Sequence, residues 1–410
     1  MKESKYNFVY SDSGNVVLYN TKTGYVFLLS IEEYNSFLQG NFTNDNIIEY
    51  KTAGFIVDDC IDETTELILR CDNETKNSLN NKYRILTTTA CNAHCFYCYE
   101  KGIKNSNMSL STAESVANFI LEQSKDANLI RLEWFGGEPL LNPQVIDTIT
   151  SIVLNKKSPT TKYKASLVTN ATKINDQIVK KIVNEWLVNE IQITIDAIGT
   201  KYETIKGLEQ GSFDKVMAAV ELLVNSNIKV KIRINYNRDN FKIAEETVKF
   251  FSESSLNGKI ALYAARIFDT VPGGNTFNLE EETIMMDNVL YKYGFRSKLN
   301  LLPPSFKTRC SATFPKYFTI DPQGNLFKCD RKFLNKNIVA TVNDYKEKDI
   351  LHHRWTEIHL SNKCKNCKLL PICWGGCMFN NDNNIYPCFY SNRIILNRLR
   401  LILEEYNKCS

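Results

Sequence analysis

From Tyr83 to about residue 267, short apolar runs alternate with longer amphipathic stretches, and this alternation restricts the fold more than any other feature of the chain. Strands are expected near 83–89, 130–135, 163–169, 190–196, 228–236 and 259–267, because each is short, apolar and β-branched. The segments between them have helical spacing, for example 109–124 and 212–225, and Ser109 and Ser212 stand where N-caps belong. Strand–helix repetition of this kind builds a parallel α/β sheet, and six units make an open, partial βα barrel. Reactive groups in such sheets sit at the carboxyl ends of the strands.

The flanks differ. Residues 7–29 alternate with period two around the turn Asn20-Thr21-Lys22-Thr23-Gly24 and read as a β-hairpin. Ser30 with Glu33 three residues on predicts a capped helix start, and Asn46-Ile47-Ile48 a second short helix. The polar stretch Asp72–Ser78 reads as a linker. Beyond about residue 300 the alternation stops and cysteines become dense, so three domains are expected: 1–78, 79–300 and 301–410.

The first strand delivers Cys91-Asn92-Ala93-His94-Cys95-Phe96-Tyr97-Cys98 into a strand-end loop, and with 13 cysteines in 410 residues chance is a poor source of that spacing. Three thiolates can hold three corners of a four-iron cluster and leave one iron open to a reactant, whereas a closed electron-transfer cluster takes four. A zinc site completed by His94 is the competing reading, but adjacent ligands on so short a loop fit it badly. The second strand ends Trp134-Phe135-Gly136-Gly137-Glu138-Pro139, a turn that allows close backbone approach.

Together these two motifs resemble the radical S-adenosylmethionine superfamily, in which the open iron is chelated by the methionine moiety of the nucleotide. The resemblance spans the six strands and implies cofactor contacts at Tyr97, Gly136, Gly137, Glu138, Thr169, Asn170, Thr194, Asp196 and Arg233. Two departures stand out: Thr194 where relatives often carry Ser, and Lys206 where some sulfatase-maturing relatives carry Arg.

Cys310, Cys329, Cys364, Cys367, Cys373, Cys377 and Cys388 form a second array that resembles the SPASM domain. By that resemblance Cys364, Cys367, Cys373 and Cys388 hold an outer auxiliary cluster, and Cys310, Cys329 and Cys377 an inner one. The strands Phe318–Ile320 and Leu326–Lys328 flank a hairpin turn that returns Cys329 toward the start of the unit. A fourth inner ligand is absent from Phe314–Tyr317, where some relatives place it; either that iron is open to a substrate thiolate, or Cys60, Cys71 or Cys409 closes it. Zinc ribbons are the other reading of the paired cysteines. Asp330 matches the catalytic base of anaerobic sulfatase-maturing enzymes, with a local turn residue as the alternative. His352, His353 and His359 read as a solvated helical face.

The whole therefore resembles a SPASM-type peptide maturase: a partial (βα)6 TIM-type barrel, an N-terminal winged-helix-like peptide-recognition domain and a Cys-rich C-terminal domain. The resemblance implies S-adenosylmethionine and three [4Fe-4S] clusters, one catalytic and two auxiliary. It implies a 5′-deoxyadenosyl radical that abstracts hydrogen from a ribosomally made precursor peptide, leaving a thioether or carbon–carbon crosslink, with flavodoxin or ferredoxin as electron donor. Formylglycine formation by a sulfatase maturase is the runner-up, and a non-enzymatic cluster or zinc redox sensor a third class. A net charge of +4 without basic runs argues against nucleic acid. No stretch approaches the roughly 20 apolar residues of a membrane span, and Met1–Lys5 runs into a polar and aromatic segment rather than a signal h-region, so a cytoplasmic setting is expected, in which the cysteines are read for metal or cluster ligation.

Overall fold

The computed structural model describes residues 1–267, 279–297, 300–303, 310–330, 337–346, 355–357, 360–377, 388 and 390–409. These fall into two compact units, each discontinuous in sequence: residues 1–77 with 269–310 and 358–410, and residues 78–268 with 311–357. His352, His353 and His359, and the Cys409 side chain, lie outside the described residues.

The first unit begins with β1 (Lys2–Glu3), β2 (Asn7–Asp12), β3 (Asn15–Asn20) and β4 (Val26–Ser30), and β2, β3 and β4 form an antiparallel sheet in that order. The Asn20 side chain closes the expected turn by accepting from Lys22 N at 2.9 Å and Thr23 N at 3.1 Å. Ser30 caps α1 (Ile31–Leu38): its Oγ accepts from Glu33 N at 3.2 Å, and its own N donates to Glu33 at 2.7 Å. The next helix, α2 (Asn44–Thr52), starts earlier than the Asn46 expected, because Thr43 caps it. After β5 (Ile56–Val57), which pairs with β1, comes α3 (Glu63–Lys76).

That helix overturns the linker reading of Asp72–Ser78. Asp62 caps it, Leu67 and Cys71 bury its apolar side, and ion pairs Arg70–Glu74 and Lys76–Asp72 occupy its polar face at i,i+4 spacing. The polarity marks a solvated helical face rather than a disordered tether.

The second unit holds the alternating segment: β6 (Asn80–Thr88), α4 (Leu110–Gln123), β7 (Leu129–Gly136), α5 (Pro143–Lys156), β8 (Lys162–Thr169), α6 (Asp176–Lys180), β9 (Val188–Thr194), α7 (Gly199–Lys206), α8 (Ser212–Asn225), β10 (Lys229–Tyr236), α9 (Phe241–Glu253) and β11 (Ala261–Arg266). The six strands are parallel and sequential neighbours, so every expected strand is present in the expected order. Ser109 caps α4 through Thr112 N at 3.0 Å. Ser212 does not cap α8: the cap position is Gly211 at φ +81°, since the chain arrives from α7 through a left-handed turn that glycine takes without strain.

The sheet does not end with β6. Following α10 (Leu279–Lys292) of the first unit, β12 (Tyr317–Ile320) pairs parallel with β6, and β13 (Asn325–Phe327) and β14 (Ala340–Thr341) continue antiparallel, giving nine strands. The hairpin turn after β12 is as expected, with Asp321 Oδ1 accepting from Gln323 N and Asn325 N, both at 2.9 Å. Lys328, 1% exposed, anchors the approach to β12 by donating to the carbonyls of Phe314 at 2.6 Å and Tyr317 at 2.7 Å.

The remainder of the first unit supplies α11 (Asn362–Lys365), α12 (Leu370–Cys373) and α13 (Asn392–Cys409). Period-two alternation in β3 sends Leu18 to a core with Phe37, Tyr50 and Phe55, and Val17 and Tyr19 to another with Leu369, Ile395, Leu399 and Ile402. Both faces of β3 are therefore covered, one of them by the C-terminal helix. No helix of the described residues is long and apolar enough to cross a membrane.

Candidate active site

The loop leaving β6 has no regular structure, so its shape is set by contacts with neighbouring strand ends. Cys91, Cys95 and Cys98, all free thiols, line one cleft of about 390 Å³ together with His94, Phe135, Gly136 and Gly137. Burial pushes the Cys91 thiol up to about 11 and the Cys98 thiol in the same direction, so ligation there must displace protons. Among the described residues no group of three His, Cys, Asp or Glu side chains stands at metal-holding distance. Three thiols spread around a cleft suit a polynuclear group better than a single ion.

The glycine pair is demanded by the same strand end. Gly136 has φ +120°, and a Cβ on it would lie 2.1 Å from Thr88 O; on Gly137 it would lie 2.3 Å from Ala90 O. Backbone bonds from Gly137 N to Thr88 O at 3.1 Å and from Glu138 N to Ala90 O at 2.9 Å stitch this turn to the residues just before Cys91.

Glu138 is fully buried and accepts from Leu140 N at 3.0 Å, Thr169 Oγ1 at 2.8 Å and Asn170 N at 2.7 Å. Burial pushes its carboxyl up, against those three donors. Its observed work is to join the ends of β7 and β8, which brings Thr169 and Asn170 into place. Asn170 Nδ2 reaches Asn92 Oδ1 at 2.8 Å and lies 3.9 Å from Cys91 Sγ.

Tyr97 is turned inward: its hydroxyl donates to Asp196 and accepts from Lys206 Nζ at 2.5 Å. Burial, reinforced by Asp196, pushes that phenol well above its usual range. Thr194 and Arg233 are register neighbours on β9 and β10, and Arg233 Nε donates to Asn235 Oδ1 at 2.8 Å. Like Tyr97, Glu138, Thr169, Asn170 and Asp196, these two do not line the cysteine cleft.

Asp330 accepts from Arg84 of β6, whose Nε also donates to Glu133 at 2.8 Å; Lys82 reaches the same Glu133 at 3.1 Å. Burial opposes ionisation of Glu133, yet Arg84 and Lys82 hold its carboxyl below the usual range. Cys329 Sγ lies 3.8 Å from Asp330 Oδ1. Glu100, in the cleft wall, is pushed up to about 7 by burial.

Sequence reasoning singled out neither Arg84 nor the inward role of Lys206. Opposite charges at Arg84 and Glu133, which fall directly in register on the adjacent strands β6 and β7, were the available signal for the first. Of the C-terminal cysteines, Cys329 belongs to the barrel-bearing unit and Cys310, Cys364, Cys367, Cys373, Cys377 and Cys388 to the other. Cys364 lies on α11 and Cys373 ends α12, and Cys367 and Cys373 pack against the Ile395–Leu399 core. Cys60 is exposed, whereas Cys71 is buried among Tyr6, Leu67, Leu370 and Trp374.

The sequence profile described as the radical SAM superfamily matches residues 85–251. An uncharacterised protein of Methanocaldococcus jannaschii is 30% identical over 172 residues, 41% of this chain and 58% of that protein, so the match spans little over half of it. A cysteine-type anaerobic sulfatase-maturating enzyme of Clostridium novyi is 22% identical over 352 residues, 77% of this chain and 92% of that one. Among solved structures, anSMEcpe with bound AdoMet and Kp18Cys peptide superposes with TM-score 0.64 at 20% identity, covering 80% of this chain and 99% of that one. Streptococcus suis SuiB bound to precursor peptide SuiA gives TM-score 0.51 at 15% identity, covering 94% and 97%. At such identities the structural likeness establishes the fold.

Proposed function

We propose that this chain, which carries a radical SAM domain over residues 85–251, is a peptide maturase that installs a thioether or carbon–carbon crosslink in a ribosomally made precursor. The observation that carries the reading is the cleft where three free thiols meet a strand end stripped of side chains at Gly136 and Gly137. Cys91, Cys95 and Cys98 would hold a four-iron cluster, and the glycine turn would admit the methionine moiety of S-adenosylmethionine beside it. Bound there, and given one electron by a flavodoxin or ferredoxin, these groups would supply the radical chemistry for hydrogen abstraction from the substrate. The chain's own part is to bind, orient and exclude water. Cys364, Cys367, Cys373 and Cys388 would hold an outer auxiliary cluster, and Cys310, Cys329 and Cys377 an inner one. Asp330 would accept a substrate proton, with Arg84 fixing where its carboxylate stands.

Peptide recognition falls to the N-terminal sheet. β4 is one of its two edge strands, and Tyr25, 51% exposed, just before it and Leu28, 38% exposed, on it place apolar side chains at that edge. An extended leader would add to it as a further strand, main-chain bonds giving affinity and these side chains selectivity. SuiB, solved bound to its precursor peptide SuiA, supports a peptide substrate. Deleting residues 1–77 is a poor test, since it would strip the cover from Ile395, Leu399 and Ile402 of α13. Leu28→Glu is the better one: leader binding measured by fluorescence anisotropy is expected to weaken about tenfold, the loss of about 1.4 kcal/mol of edge contact. Unchanged affinity would count against the edge.

Formylglycine formation remains the second reading, favoured by the length of the match to the Clostridium novyi enzyme and by the Cys329-Asp330 pair. Product chemistry separates the two, because a hydrazide labels formylglycine and leaves a crosslink unlabelled. In either case Asp330→Asn is expected to cut peptide modification about 100-fold, the contribution of one positioned proton acceptor, while 5′-deoxyadenosine still forms. Parental modification rates in that variant would remove Asp330 from the mechanism.

A further inference from the structure

We propose that Lys206 and Gly207, where α7 ends, are positioning residues that clamp the Cys91–Cys98 loop into its ligating shape; this rests on the cluster-binding reading above. The loop has three candidate ligands and no helix or strand of its own, so something outside it must fix the two spans between them. One helix end meets both. In the span between Cys91 and Cys95, His94 N donates to Lys206 O at 2.6 Å. In the span between Cys95 and Cys98, the Tyr97 hydroxyl accepts from Lys206 Nζ at 2.5 Å, and the ammonium lies 5.2 Å from the Tyr97 ring centre.

Lys206 is itself held. Its side chain, 4% exposed, ion-pairs with the fully buried Asp196 at 2.8 Å, and Asp196 is fixed on its other oxygen by Asn235 N at 2.6 Å. Asp196 also accepts from the Tyr97 hydroxyl, so tyrosine, lysine and aspartate close a triangle anchored on the end of β10. A buried ion pair is a costly way to gain stability, and its retention here fits a role in fixing one geometry. Gly207 completes the clamp. It caps α7 in the left-handed region at φ +57°, and a Cβ on it would lie 2.9 Å from His94 Cβ, so any side chain would push the loop outward.

This placement gives Tyr97 and Asp196 a task in shaping the ligand loop, apart from any contact with a nucleotide. Residues that orient ligands from behind change metal retention by about 10- to 100-fold when removed. The test uses the full-length protein, reconstituted anaerobically, with the Cys91, Cys95 and Cys98 triple alanine variant subtracted to isolate the first cluster. The double variant Lys206→Met/Asp196→Asn is expected to release that cluster's iron to a chelator about tenfold faster than the parent and to broaden its reduced EPR signal without added nucleotide. Lys206→Arg, which keeps both the charge and the donor, is expected to restore release to within about twofold. Tyr97→Phe, which removes only the hydroxyl, is expected to broaden the signal and keeps the test decisive if the double variant misfolds. Parental release and line shape in the folded variants would overturn the clamp. No difference signal between parent and triple variant would overturn the cluster reading itself, and the clamp with it.

Discussion

With Cys91, Cys95 and Cys98 all replaced by alanine, the protein is expected to release no 5′-deoxyadenosine from S-adenosylmethionine under reducing conditions. An open-iron cluster cannot assemble without its thiolates, and the cleft those side chains line offers no substitute set of soft ligands. The C-terminal cysteines are untouched by the change, so about eight of about twelve irons should remain if each cluster is of the four-iron kind. Iron counting and chromatography of the nucleotide products measure both outcomes in one preparation. Continued nucleotide cleavage would disprove the catalytic assignment of the triad. A protein retaining its full complement of iron would move the first cluster elsewhere.

Gly137→Ala is the second change with a large expected effect. Its Cβ would meet Ala90 O at 2.3 Å, Ala90 C at 2.6 Å and Thr89 O at 2.7 Å, all of them backbone atoms that cannot swing aside. Relief requires the end of β7 to separate from the residues delivering Cys91, breaking the bonds from Gly137 N to Thr88 O and from Glu138 N to Ala90 O. A cost of about 3 kcal/mol is expected, the upper end for overpacking, together with loss of first-cluster iron. Gly258→Ala is the control: it too has positive φ, +77°, but nothing stands within 4 Å of the added Cβ. That substitution should cost only about 1 kcal/mol, the strain of a side chain in the left-handed region. Thermal melts that do not separate the two variants would mean that the β7 turn is not constrained as described.

Both expectations depend on how much of the site is local. The cysteine triad and the glycine turn are each contiguous in sequence, and each sits directly after an apolar strand, so their placement at neighbouring strand ends follows from strand order alone. The Ser109 and Ser30 caps are local in the same sense, since a cap needs only its own first turn. Ser212 shows the limit of such reasoning. A serine before an apolar run looks like a cap until the preceding turn places glycine in that position.

What the sequence determined by itself was periodicity and contiguous chemistry: six βα units in order, and the thiols and glycines that face one cleft. Tertiary structure alone decided which distant residues meet. Arg84 and Asp330 pair because β12 joins the sheet beside β6, and nothing in the local pattern around residue 317 specifies its partner strand. Asp72–Lys76 became helix because Leu67 and Cys71 found a core to bury into. Residues 1–77 likewise depend on α13, almost the whole chain away, to cover Val17 and Tyr19. Lys206 reads as a polar residue near a helix end, and only packing against the ligand loop turns it inward to Tyr97 and Asp196. Periodicity is written residue by residue along the chain; pairings across long separations are settled by which buried surfaces and charges satisfy one another once the chain has closed.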